Sequence, residues 1–215
     1  FDEAIRHSIT KMSHLHFVAA EDYRRRLIQL GEQPDRIFQV GGLGIDAIKR
    51  TALMNREALE ASIDFKLGRK NLLVTFHPVT LESKSSAQQM GELLAALGQL
   101  EDTHLIFTMP NADTRNQELA YMVDAFVTTH PNARAYSSLG QLRYLSCMKL
   151  VDGVVGNSSS GLAEAPSMAV GTINIGDRQR GRLQATSVID CVSEQQAILD
   201  AIKKLYAEDF RQTIS

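Results

Sequence analysis

Apolar and polar positions alternate along this chain between two periods. Short apolar runs at 15–19, 36–40, 71–76, 104–108, 133–136, 149–155, 172–175 and 187–192 predict strands. Between them, 21–31, 45–50, 55–65, 86–100, 114–128, 139–147 and 161–168 carry helical spacing, and further helices are expected at 2–12 and 194–206. The punctuation agrees. Gly31 is placed to end the helix before it, and Pro78 and Pro110 follow two of the strands, where a residue without an N–H stops the ladder. Strands that alternate with helices need crossover connections, and those give a parallel sheet with helices on both faces. The expected fold is therefore α/β, with a Rossmann-like domain over 36–192. Residues 1–35 read as the tail of another domain and a linker, because a helix, a strand and a helix cannot bury a core alone. Residues 193–215 read as a C-terminal helix. The chain opens at Phe1, directly in helical sequence, and is expected to be part of a longer protein.

Composition narrows the function. The 215 residues are 44% hydrophobic and 22% charged, the profile of a soluble globular protein. Lys plus Arg is 23 against 25 for Asp plus Glu, a formal charge of −2, so neither nucleic acid nor an anionic membrane is an expected partner. The apolar runs are far too short to span a bilayer, and no secretory leader is visible. Cys147 and Cys191 have no ligand-like spacing and are expected to be reduced, which points to a cytoplasmic protein.

In a parallel sheet every strand ends on one edge, and ligands bind there. The residues after five of the predicted strands are His77; Asn111 and Asp113; Ser137 and Ser138; Gly156-Asn157-Ser158-Ser159-Ser160-Gly161; and Gly176-Asp177-Arg178-Gln179-Arg180-Gly181-Arg182. Polar, anion-compatible groups recur at each end and imply one polar, anionic ligand. The Gly-Asn-Ser-Ser-Ser-Gly loop is the strongest single feature. Its glycines let backbone approach a phosphate, and its hydroxyls add donors. Plain helix capping by Ser159 or Ser160 is the alternative, but three serines exceed what one cap needs. The loop is not Gly-x-Ser-x-Gly, so a hydrolase elbow is not supported. Glu164 either stabilises the start of the following helix or accepts from a ribose diol. Arg178 fits a diphosphate clamp, Arg180 and Arg182 are equally compatible with a solvated loop, and His77 is held at a strand end by Pro78.

Other features carry less. Gly42-Leu43-Gly44-Ile45-Asp46-Ala47 fits Gly-x-Gly-x-x-Ala but lacks the acidic residue at the end of a following strand, so a dinucleotide site is not expected. His7, His14 and His16 lack a ligand pattern, and no metal and no cofactor is expected.

Several motifs together resemble one family. Ile5-Arg6-His7-Ser8-Ile9-Thr10-Lys11, Thr75-Phe76-His77-Pro78-Val79-Thr80, Pro110-Asn111-Ala112-Asp113, Gly156 through Glu164, and Asn174 through Arg182 are similar in type and order to the UDP-N-acetylglucosamine 2-epimerases. The His-Pro-Val-Thr form resembles the hydrolysing branch, which feeds sialic-acid-type sugar synthesis. The resemblance implies a glycosyltransferase-B-type fold with the ligand between two Rossmann-like domains, this chain holding the end of the first and most of the second. It implies His77 as the catalytic candidate near the diphosphate. Asn111 and Ser137 would lie toward the nucleotide, Ser158 and Ser159 on the phosphates, Glu164 on the ribose and Arg178 on the diphosphate. It further implies a UDP-sugar substrate, either UDP-N-acetylglucosamine or a 2,4-diacetamido relative, and a homodimeric full-length protein. The reaction removes the C2 proton, expels UDP and adds water to a 2-acetamidoglucal. The family's proton-transfer carboxylates are expected in the first half of the N-terminal domain, so this chain alone is expected to bind UDP weakly and not to turn over. A glycosyltransferase of the same architecture and a non-catalytic nucleotide-binding module are the alternatives.

Overall fold

A computed structural model describes residues 2–79, 85–109 and 117–214. The chain divides into two compact units, Phe1–Arg50 and Thr51–Ser215. The first contains α1 (Asp2–Met12), β1 (His16–Val18), α2 (Glu21–Gln29), β2 (Ile37–Gln39) and α3 (Leu43–Arg50). Strands β1 and β2 pair in parallel as a two-stranded sheet, with α2 as the crossover. The boundary between units thus falls later than residue 35, and the 36–40 strand does not enter the large sheet. Apolar spacing marks a strand but does not name its partner; here the α2 connection returns β2 to β1.

The second unit carries α4 (Arg56–Ile63), β3 (Lys70–Thr75), α5 (Ser86–Leu97), β4 (Thr103–Thr108), α6 (Gln117–Thr129), β5 (Ala133–Tyr136) and α7 (Gly140–Leu150). It continues with β6 (Gly153–Gly156), α8 (Ser160–Ala163), β7 (Gly171–Ile175), β8 (Val188–Cys191), α9 (Gln195–Tyr206) and α10 (Glu208–Ile214). Six parallel strands form one sheet in the order β5-β4-β3-β6-β7-β8. The chain winds outward from β3 in one direction, returns through α7, and winds outward from β6 in the other. This is the doubly wound Rossmann order, and its switch point lies between β3 and β6.

The central strands are apolar nearly throughout because both faces are covered. Leu72, Val74, Leu105, Phe107, Val155, Ile173 and Ile175 form one face, packed with Met90 and Leu93 of α5, Leu119 of α6 and Ile198, Ile202 and Leu205 of α9. The alternate positions Leu73, Ile106 and Val154 are equally buried and point the opposite way.

Three elements depart from the sequence reading. The 149–155 strand begins only at Gly153, because α7 continues through Leu150 and closes with Val151 N–H on the Cys147 carbonyl. The predicted 161–168 helix is a single α turn followed by a 3-10 turn, Ala165–Met168. The C-terminal region holds two helices rather than one, since α10 follows α9 and buries Phe210 in the core cluster.

Candidate functional site

The loops after β3, β6 and β7 meet at the switch point. Their closeness begins in the backbone. Gly156 ends β6 at φ 136°, and a Cβ there would stand 1.9 Å from the Thr75 carbonyl oxygen, so only glycine fits against β3.

Asn157 then joins the three loops. Its Oδ1 accepts from the His77 N–H at 2.7 Å, and its Nδ2 donates to the His77 carbonyl at 2.8 Å. Its backbone carbonyl accepts from Arg178 Nη1 at 3.0 Å and from Gln179 Nε2 at 2.7 Å. Asn157 and Gln179 are each 1% exposed, so the bond between them is made away from water, where an unmade one is costly, whereas Arg178 is exposed and its bond only part-buried. Arg178 is thereby held beside His77. Burial, and secondarily the Arg178 charge, lowers the His77 pKa below the ordinary imidazole value, so the ring is neutral near pH 7.

The serines do not act as a simple cap. Ser159 occupies the N-cap of α8 without a side-chain bond to the turn. Ser158 Oγ lies 3.0 Å from Ser160 Oγ, which lies 2.6 Å from the Tyr144 hydroxyl. All three serines are partly buried at the loop.

Glu164 differs from the simpler expectation as well. It stands at the C-cap of α8, not in a first helical turn, so stabilising the start of that helix is not its role. Its Oε2 is buried and has no hydrogen-bond partner among the described residues, and burial raises its pKa. A shielded carboxylate oxygen with spare acceptor capacity suits a ligand that brings its own donors.

Arg178 and the loop hydroxyls offer hydrogen-bond donors, and Glu164 offers an acceptor. That pairing fits a molecule with a phosphate and a diol. His77, Ser158, Ser159 and Arg178 lie on the loops after β3, β6 and β7, and Glu164 follows α8, the turn that starts from the serine loop. Ser137 does not join them: it is exposed at the end of edge strand β5, three strand intervals or roughly 14 Å from β6. Neighbouring Ser138 accepts from the Gly140 N–H and shapes the start of α7. Asn111 lies outside the described residues. Arg180 and Arg182 are exposed. The sequence reading missed Asn157, Gln179 and Tyr144 as parts of the site. The first two stood inside quoted motifs, whereas nothing near Tyr144 marks it.

In the glycine motif at 42–47, Leu43 and Gly44 already belong to α3. The early histidines have local partners: His16 Nε2 lies 3.2 Å from Glu32 Oε2, and His14 Nδ1 lies 3.4 Å from Arg36 Nη1. Among the described residues no cluster of His, Cys, Asp and Glu could hold a metal ion, and no helix is long and apolar enough to cross a membrane.

A family model described as UDP-N-acetylglucosamine 2-epimerase matches residues 1–215. The chain belongs to this family. Among its relatives, the chain is 41% identical over 212 residues to the GDP/UDP-N,N'-diacetylbacillosamine 2-epimerase (hydrolyzing) of Campylobacter jejuni, covering 98% of this chain and 55% of that protein. It is 43% identical over 211 residues to the polysialic acid biosynthesis protein P7 of Escherichia coli, covering 98% and 54%. The chain thus spans about half the length of these relatives. Among solved structures, the S. aureus MnaA–UDP co-structure matches with a TM-score of 0.75 at 18% identity, over 96% of this chain and 55% of that one, which supports a shared fold.

Proposed function

We propose that this chain supplies the UDP-holding side of a hydrolysing nucleotide-sugar 2-epimerase. The substrate is UDP-N-acetylglucosamine or a 2,4-diacetamido relative, and for the former the products are N-acetylmannosamine and UDP. The observation that carries this reading is the buried, unpartnered Oε2 of Glu164 on the same loop system as Arg178 and the Ser158–Ser160 hydroxyls. The names of the relatives, and the UDP complex of a fold neighbour, support the same ligand.

In this mechanism a base takes the sugar C2 proton while the C1–O bond breaks and its electron pair leaves with UDP. Water then adds across the resulting double bond, its hydroxyl to C1 and a proton to C2. This chain's residues serve the leaving group. Arg178 and the Ser158 and Ser159 hydroxyls meet negative charge as it grows on the diphosphate, and Glu164 accepts from the ribose diol. Neutral His77 offers a ring donor or acceptor beside that diphosphate without adding a second full charge. The carboxylates that move the C2 proton are assigned to the rest of a longer protein. We assign Asn111 and Ser137 to the nucleotide end, the active assembly to a homodimer and its location to the cytoplasm.

Calorimetry with UDP, comparing wild type with Ser158→Ala/Glu164→Ala, tests the site, and binding that survives the double substitution would overturn it. Incubating the full-length protein with UDP-sugar and no acceptor tests the reaction. Release of the free 2-epimer is expected, and turnover only with an added acceptor would favour a glycosyltransferase.

A further inference from the structure

Behind Ser158 lies a line of hydroxyl groups, on Ser160 and Tyr144, that the proposed reaction does not use directly. The Tyr144 hydroxyl, on α7, is 2.6 Å from Ser160 Oγ, and Ser160 Oγ is 3.0 Å from Ser158 Oγ. At the end of β3, Thr75 Oγ1 lies 2.5 Å from Thr108 Oγ1 on β4. Each hydroxyl has one hydrogen to give, so the line must run in one direction or the other.

Two facts favour the outward direction. A phenol is more acidic than an aliphatic alcohol, so Tyr144 is the better donor to Ser160. Ser158 Oγ also accepts from the Ser160 N–H at 3.4 Å. With Ser160 Oγ donating as well, the acceptor capacity of Ser158 is filled from the protein side, and its own hydrogen is what remains to offer. An anion in the site selects this direction, because the reverse would aim oxygen lone pairs at it. Hydrogen bonds in such a series strengthen one another.

We propose that Tyr144 is a positioning residue for the diphosphate, acting through Ser160 to turn the Ser158 hydroxyl hydrogen out toward the ligand. This rests on the UDP reading above. Tyr144 touches no reacting atom; it fixes which end of Ser158 the phosphate meets.

The test is a double-mutant cycle by UDP calorimetry on the full-length protein that contains this chain. Tyr144→Phe keeps the ring and removes only the donor, and should weaken UDP by about three- to tenfold with little change in Tm. On a Ser158→Ala background the same substitution should add no further loss. Ser160→Ala interrupts the line from the other side and should reproduce the Tyr144→Phe loss, which keeps the test intact if Tyr144→Phe folds poorly. Losses that simply add would mean general loosening and would overturn the relay. So would unchanged UDP affinity in both Tyr144→Phe and Ser160→Ala while Ser158→Ala weakens binding, an outcome that leaves the UDP reading standing. Failure of the wild-type protein to bind UDP would overturn that reading and the relay with it.

Discussion

Two glutamates, Glu60 on α4 and Glu164 after α8, are both withdrawn from water and have opposite surroundings. Glu60 Oε1 accepts from Arg56 Nε at 3.0 Å and from the Leu67 N–H at 3.1 Å, and its Oε2 accepts from Lys66 Nζ at 3.0 Å. The Lys66 bond, then the Leu67 N–H, hold its pKa down at about 2. Glu164 Oε2 has no such partner among the described residues, and burial pushes its pKa up. A carboxylate whose bonds are all made within the protein tethers a loop. A carboxylate that the fold shields and leaves unmatched is an acceptor held for something else.

The sharpest way to break this contrast is to neutralise each carboxylate in turn. Glu164→Gln should lower UDP affinity by about tenfold or more, because a charge-assisted bond to a ligand diol is lost, while Tm holds or rises. Glu60→Gln should do the reverse, lowering Tm and leaving UDP affinity unchanged. Should Glu164→Gln lower Tm and spare UDP binding, the two residues would belong to one class.

Acid sharpens the contrast with opposite signs. The Glu60 pKa is depressed in the folded state, so its stabilisation is present above the ordinary value of 4.5 and is lost as pH falls from there toward about 2. The Glu164 pKa is raised, so its ionisation costs stability as pH climbs above that same ordinary value. The Tm difference between wild type and Glu60→Gln should therefore shrink on acidification through that window. The advantage of Glu164→Gln should grow as pH rises from 4.5. Parallel curves for either variant would contradict its assignment.

The smallest effect concerns His77. Arg178→Ala removes the secondary of the two causes that lower its pKa, so its imidazole should titrate at a modestly higher pH, followed by NMR, while still below the ordinary value because burial remains. An unmoved titration would mean that Arg178 does not sit beside the ring in solution.

Much of the architecture was legible in the sequence. Residues 71–76 and 104–108 are apolar because their strands are buried on both faces, and such runs with intervening helices admit few topologies. Strand partners were less legible: three residues of β2 carry no mark of the sheet they join. Residues at strand ends could be nominated because parallel topology gathers them on one edge, and His77, Ser158 and Arg178 follow from that rule, whereas Glu164 is read from the helix after the serine loop. The rule does not distinguish near strands from far ones: Ser137 satisfies it at the end of β5, three strand intervals from β6. Nor could it find Asn157 as the joint between loops. Its partners are 80 and 21 residues away and are partly backbone atoms, which leave no trace in side-chain identity.

That joint has a thermodynamic consequence. Three separate loops would each surrender freedom when a ligand arrived, and each ordered residue would subtract from the affinity. Because Asn157 fastens the ends of β3, β6 and β7 to one another, most of that entropy is already given up during folding. The ligand then meets a surface whose shape was decided before it came.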